Sequence, residues 1–126
     1  MSYTVSEEDF EKLVKNAIDA IPELYKTKLE NVAFFVEVEP SQEQRNKLRL
    51  RPCDSLFGLF EGVPKTKNDG GYAFTLPSKI TVFKKAHEDN SADEEQLRKL
   101  VIETIWHEVA HYYGLSHEQM KQLQQK

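Results

Sequence analysis

Apolar residues in the first 30 positions recur at helical spacing. Ser6, a good N-cap, precedes a run in which apolar side chains return every three to four residues, the period of a helix with one buried face. The members of this face are Phe10, Leu13, Val14, Ala17 and Ile18. Pro22 is suited to the start of a helix and predicts a second, short one that ends near Leu29.

The pattern then changes from helical spacing to a continuous apolar run. Residues 32–38 are rich in β-branched and aromatic side chains and are followed by Pro40, which predicts a strand. Ser41 with Gln44 has the spacing of a capping box, in which each residue bonds to the backbone of the other. We therefore expect a short polar helix that ends near Leu50.

The pattern in the middle of the chain predicts short strands separated by glycine-rich turns. Residues 56–64 are apolar and predict a strand that turns at Gly62. The Asn-Asp-Gly-Gly segment at 68–71 is a strong turn signal. Apolar and polar residues alternate over 72–76, and residues 80–83 form another apolar run, so each segment predicts a strand.

A long helix dominates the last third of the chain. Ser91 with Glu94 has the spacing of a second capping box and predicts a helix over 92–113. Gly114 is the type of residue that ends a helix. Ser116 then opens a short C-terminal helix. The element order predicts an α+β fold with a small central sheet, an N-terminal helix, a long helix and a short C-terminal helix.

Composition limits the class of protein and its partners. A chain of 126 residues, 39% hydrophobic and 30% charged, is expected to form one globular domain over 1–126. The net charge of −4 argues against nucleic acid, and no apolar run is long enough for a membrane span. Cys53 is the single cysteine, and no export signal precedes the first helix, so we expect a cytoplasmic location.

The end of the long helix carries a motif with metal-site spacing, H-E-x-x-H-x-x-G-x-x-H. His107 and His111 are four residues apart, so their imidazoles project from successive turns and could share one ion. Glu108 lies about 100° further round the helix, where it could act on water without being a ligand. Gly114 could reverse the chain and return His117 to the same ion. These residues predict a zinc site with three histidine ligands.

Two expectations concern the environment of the histidines. On a helical wheel, His107 and His111 fall beside Leu97, Leu100 and Thr104, which predicts that both histidines lie on the buried side of the helix. His87 stands among polar residues and is expected to be a solvated residue of a loop.

The motif is one of four segments that resemble a known family. Residues 30–37, 56–64 and 76–83, followed by the terminal motif, are similar to the small bacterial zincin-like metallopeptidases, whose motif is H-E-x-x-H-x-x-G-x-x-H/D. The resemblance covers the chain from about Phe10 to Met120. It implies a compact minimal zincin-like fold that binds Zn²⁺.

The resemblance also implies roles for the motif residues. His107 and His111 would be metal ligands and Glu108 the general base, with His117 as third ligand at a position where the family often has an acidic residue. The predicted function is a zinc-dependent metallopeptidase that hydrolyses an amide bond with zinc-activated water. The predicted partner is a peptide or protein substrate, bound in extended form along an exposed strand, for which 79–84 is the favoured edge.

Two other functions stay open at this point. Only nine residues follow His117, which leaves little chain for a substrate-binding wall. A zincin-like peptide-binding module with low or no turnover is therefore one alternative. A zinc hydrolase of a non-peptide amide is the other, because it would use the same site. The sequence does not indicate an oligomeric state.

Overall fold

A computed structural model describes most of the chain, namely residues 2–26, 29, 32–51, 55–62 and 78–113. The turn and strand predicted over 68–76 and the C-terminal helix predicted from Ser116 lie outside the described residues. The same holds for Cys53, Gly114 and His117.

The two N-terminal helices form where the sequence predicts them. Helix α1 spans Glu7–Asp19, and the hydroxyl of Ser6 accepts a hydrogen bond from the backbone N–H of Asp9 at 3.1 Å. The buried residues of α1 are Phe10, Val14 and Ala17, which confirms the predicted apolar face. The described part of helix α2 spans Glu23–Lys26, and residue 29, near which the helix was predicted to end, is not helical.

Three strands form a mixed sheet in the order β1-β3-β2. Strand β1 (Val32–Glu37) is parallel to β3 (Ser78–Phe83), and β2 (Gly58–Glu61) is antiparallel to β3. The prediction that 79–84 is an exposed edge is therefore wrong, because β3 is the central strand. Its backbone pairs on both sides, and Ile80 is completely buried, as expected for a central strand.

Helix α3 spans Gln42–Lys47 and begins with the predicted capping box. The hydroxyl of Ser41 accepts from the N–H of Gln44 at 3.1 Å, and the N–H of Ser41 donates to the side chain of Gln44 at 2.8 Å. The local sequence is sufficient here, because all the partners of the motif lie within four residues.

Helix α4 (Lys84–Asp89) begins directly after β3 and replaces the loop expected around His87. His87 is completely buried, so the prediction of a solvated residue is wrong. Its Nδ1 lies 2.7 Å from the carbonyl oxygen of Phe83, and its Nε2 lies 2.8 Å from the hydroxyl of Thr104. Because one partner is 17 residues away, the local polarity of the sequence did not indicate this environment.

Helix α5 spans Glu94–Tyr113 and begins two residues later than predicted. Ser91 does not cap it; the Ser91 hydroxyl is buried and donates to the carbonyl of His87 at 2.8 Å. Instead, the carboxylate of Asp93 accepts from the N–H of Gln96 at 2.9 Å. The predicted capping box at 91–94 is therefore wrong, because Ser91 ends α4 rather than beginning α5.

Helices α1 and α5 pack against each other, and α5 also packs against β2 and β3. The shared core is apolar and is contributed mainly by Phe10, Val14, Ile80, Val82, Leu97, Val101, Ile105 and Val109. This packing confirms the α+β fold and fixes α5 beside the β2 side of the sheet. Among the described residues, no helix combines the length and apolarity that crossing a membrane requires.

Candidate metal centre

The last two turns of α5 bring together three side chains that could bind a metal ion. The imidazole rings of His107 and His111 have centroids 4.4 Å apart. One potential ligand atom from each of His107, Glu108 and His111 lies within 4.8 Å of the other two. This proximity follows from one continuous helix, since residues three and four apart are neighbours on its surface.

The three side chains differ in their exposure to solvent. Glu108 is buried, with 5% of its surface exposed, whereas His107 is partly buried and the side chain of His111 is 47% exposed. The prediction that both histidines lie on the buried side is therefore wrong for His111. The buried stripe of α5 passes through Thr104, Glu108 and Tyr112, and the histidines lie beside this stripe rather than on it. The imidazoles consequently border the opening of the site, and the carboxylate lies beneath them.

Glu108 is held by polar contacts despite its burial. The backbone N–H of Phe60 donates to its carboxylate, and one carboxylate oxygen lies 3.3 Å from Nδ1 of His111. Burial raises the pKa of Glu108, and this effect is opposed by the nearby His107 and by the Phe60 N–H. A carboxyl group with a raised pKa is closer to the proton affinity that a general base needs near neutral pH.

The register of β2 explains why the Phe60 N–H can reach Glu108. The N–H of Phe83 donates to the carbonyl of Phe57 at 2.9 Å, which makes these two residues a hydrogen-bonded pair across the strands. Such pairs alternate with non-bonded pairs in an antiparallel ladder. Gly58 and Phe60 therefore direct their backbone groups away from β3, and Glu108 lies on that side.

A glycine allows β2 to approach α5 closely. A Cβ atom at Gly58 would lie 2.7 Å from Cγ2 of Thr104 and 3.1 Å from Cγ of Glu108. Both distances are shorter than ordinary carbon contacts, so a larger residue would push the strand away from the helix. The sequence showed Gly58 only as an interruption of an apolar run, and its contact with α5 was not predicted.

A pocket of about 340 Å³ opens beside His107 on the N-terminal side of the motif. One wall is the segment 55–58, which leads into β2. The opposite wall is formed by α5 through Leu100, Glu103 and Thr104, and the pocket extends to His107 and Glu108. A molecule bound at the motif would therefore have space next to it along the helix.

Buried contacts behind the pocket fix the position of Thr104. A carbonyl oxygen can only accept, so Nδ1 of His87 must carry the proton that is donated to Phe83. In the neutral imidazole Nε2 is then an acceptor, and the hydroxyl of Thr104 donates to it. Burial lowers the pKa of His87, an effect opposed by its bond to the Phe83 carbonyl, which favours this neutral form.

The donor set suits zinc. Two imidazoles on successive turns are nitrogen ligands of the kind found in catalytic zinc sites, where three protein groups leave a further position open, and the Glu108 carboxylate lies beside them. The partly exposed position of the histidines leaves room for such an open position. The predicted third ligand, His117, lies outside the described residues.

The comparison with protein families agrees with this arrangement. The family model described as zincin-like metallopeptidase matches residues 29–126, which is most of the chain and includes the whole motif. This protein belongs to the zincin-like metallopeptidase family. As a class, zincins usually bind zinc.

A solved structure with a similar fold comes from Thermus thermophilus and is titled a conserved hypothetical protein. The TM-score is 0.57 at 21% sequence identity, and the alignment covers 86% of this chain and 94% of that one. At this level of identity the likeness supports the fold alone. A search of curated proteins found no significant match.

Proposed function

We propose that this protein is a zinc-dependent metallopeptidase whose active site is built on His107, Glu108 and His111. The observation that carries the proposal is the combination of a partly buried and an exposed imidazole with a buried carboxylate, with one ligand atom of each within 4.8 Å of the others, in a chain of the zincin-like family. A purely structural helix would have no reason to bury Glu108 beneath two histidines.

The residues divide into ligands and a base. His107 and His111, with His117 as third ligand, would hold one Zn²⁺ ion, which supplies positive charge that lowers the pKa of water and polarises a carbonyl group. Glu108 then removes a proton from the water as its oxygen attacks the amide carbon. The same carboxyl group returns the proton to the leaving nitrogen, so the two products separate as an acid and an amine.

The substrate backbone would lie in extended form along β2. This strand is at an edge of the described sheet, and Gly58 and Phe60 direct backbone groups away from β3 toward the motif. An extended peptide placed there would bring a carbonyl group near His107 and Glu108. The proposal therefore places the substrate along β2 rather than along the central strand β3.

The test compares the wild-type protein with Glu108→Gln and with Glu94→Gln. Glutamine keeps an oxygen that accepts from Phe60 but cannot take up a proton, so zinc content and melting temperature should be unchanged. Cleavage of a mixed peptide library should fall by at least about a hundredfold, the low end of what a general base contributes. Glu94→Gln, an exposed change on the same helix, should retain full activity.

Each other outcome has a definite meaning. If the wild-type protein binds zinc but cleaves no peptide, it is either a peptide-binding module or a hydrolase of other amides. A screen of non-peptide amides would distinguish these two functions. Equal activity of wild type and Glu108→Gln would show that Glu108 is not the base. No zinc uptake by untagged protein at neutral pH would overturn the proposed function altogether.

A further inference from the structure

The pocket next to the candidate metal centre has a specific chemical character. Leu56 and Phe57 on one wall and Leu100 on the other are apolar and partly buried. Glu103 is exposed and contributes the carboxylate at the solvent side of the same pocket. The pocket therefore combines apolar walls with two carboxylates, the buried Glu108 at the motif and the exposed Glu103 on the solvent side.

The direction of the pocket follows from the helix. Leu100, Glu103 and His107 fall on one face of α5, because they are separated by three and four residues. Glu103 lies one turn before His107, about 6 Å along the helix axis. A side chain that starts at the metal centre and follows the helix would reach the level of Glu103 after about one turn, between α5 and the facing wall of Leu56 and Phe57, with Leu100 about 4.5 Å beyond Glu103.

We propose that this pocket binds the side chain of an arginine or lysine residue of the substrate, with the cationic end at Glu103. This proposal rests on the proposed function in one respect, namely that the side chain belongs to a peptide substrate. Arginine and lysine have apolar stems that pack on apolar surface while the charged end stays near solvent. An arginine can also form two parallel hydrogen bonds with a carboxylate.

The competing side chains fit less well. Aspartate and glutamate would place a second negative charge beside Glu103 and bring a carboxylate against Leu56 and Leu100. A leucine could use the apolar walls but would gain nothing from the Glu103 carboxylate. The net charge of −4 adds a general preference for cationic substrates. Glu103 is thus the residue that would distinguish basic from neutral side chains.

The experiment measures binding to the metal-free protein, so that it does not depend on turnover. ¹⁵N-labelled protein is titrated with Nα-acetyl-argininamide and, separately, with Nα-acetyl-citrullinamide, which has the same length without the charge. The backbone amide signals of Leu56, Leu100 and Glu103 should shift with both. Argininamide should bind about two- to fivefold more tightly, the range expected for an ion pair with an exposed carboxylate.

Two variants assign this preference to Glu103. In Glu103→Gln the ratio of the two affinities should fall to about one. Glu94→Gln changes the net charge equally, but it lies nine residues away, about 13 to 14 Å along the axis and beyond the screening length of about 8 Å at physiological salt. It should keep the wild-type ratio.

Three results would overturn the proposal: equal affinities in the wild-type protein, a preference that survives Glu103→Gln, or shifts located away from the pocket. Its failure is distinguishable from failure of the proposed function. If the protein binds argininamide in this pocket but cleaves no peptide, the proposed pocket specificity stands and the proposed peptidase function fails. If the protein is a zinc peptidase but shows no preference for argininamide that depends on Glu103, the peptidase function stands and the proposed pocket specificity fails.

Discussion

At the scale of single residues, the site depends on a contact between two small groups. Gly58 has no side chain, and the methyl group of Thr104 occupies the space where a Cβ would lie. The carboxylate of Glu108 is on the same side of the strand, held by the N–H of Phe60. The distance between β2 and α5 therefore sets the position of Glu108.

Gly58→Ala should disturb this contact and reduce activity. The new methyl group would lie 2.7 Å from Cγ2 of Thr104, and overpacking of this kind typically costs about 1 to 3 kcal/mol of stability. The double variant Gly58→Ala with Thr104→Ser removes the clashing methyl but keeps the hydroxyl bond to His87, so it should regain most of the stability. Urea denaturation and peptide cleavage measure both effects. Equal losses in the single and double variants would show that the Thr104 contact is not the cause.

At the scale of elements, α4 and α5 are connected by one buried histidine. His87 on α4 accepts from Thr104 on α5, and its ring also packs edge-on against Phe57, whose centroid is 5.3 Å away. Phe57 belongs to the pocket wall, so the same side chain supports two parts of the site. A protonated His87 could not accept from Thr104, and burial disfavours the charge.

The stability of the metal-free protein should therefore decrease in acid through His87. An unfolded histidine has a pKa near 6.5, and the folded pKa of His87 is lowered. Its contribution is thus fully present above about pH 6.5 and is lost as the pH falls toward the folded pKa, because the unfolded chain then binds a proton that the folded chain does not. The loss has a limiting slope of about 1.4 kcal/mol per pH unit.

Urea denaturation of wild type and His87→Gln at pH 7.5 and pH 5.5 gives the change in unfolding free energy with pH for each protein. The difference between these two changes measures the contribution of His87. The remaining titrating groups are common to both proteins and cancel. An NMR titration of the His87 ring in the wild-type protein provides a second measurement. Identical pH dependence of both proteins, or a ring that titrates near 6.5, would contradict the assignment.

At the scale of the whole molecule, the proposed metal should couple the motif to the stability of the fold. Helix α5 carries His107 and His111 and also contributes a large part of the core, including Val101 and Ile105. An ion that binds only the folded protein stabilises it by about 2.7 kcal/mol at a hundred times its Kd. Zinc binding should therefore be visible as an increase in melting temperature of the entire domain.

His111→Ala should abolish this increase, because it removes one of two ligands that a single rigid helix holds together. His117→Ala should reduce the increase less, because the sequence predicts that this third ligand depends on a turn at Gly114. Thermal melting of metal-free and zinc-loaded proteins gives both values, and Lys99→Ala serves as an exposed control on α5. An unchanged zinc effect in His117→Ala would mean that another residue is the third ligand.

The elements that the sequence predicted correctly are those whose determinants are close together in the chain. The N-cap at Ser6 and the capping box at Ser41 each involve partners three residues apart. The motif on α5 is also local, and the approach of His107, Glu108 and His111 follows from helical geometry. The family and the α+β class could be predicted for the same reason, since they follow from the order of such segments.

Most of the wrong predictions share a different property, which is that a distant partner decided them. Ser91 is an exception, because it donates to His87 only four residues earlier and so ends the preceding helix instead of capping α5. The polar surroundings of His87 suggested solvent, but Thr104 and Phe57 enclose it. Strand pairing made β3 central, although its sequence alone was equally compatible with an edge.

The sequence by itself determined which chemistry this protein has available, because helix periodicity alone places two imidazoles and a carboxylate within reach of one another. Only the tertiary structure decided their environments. Packing of α5 on the sheet buries Glu108 and leaves His111 exposed, and the approach of β2 at Gly58 brings the Phe60 N–H to the carboxylate. The physical reason is that burial and hydrogen bonding depend on partners from other segments, whereas the spacing along one helix does not.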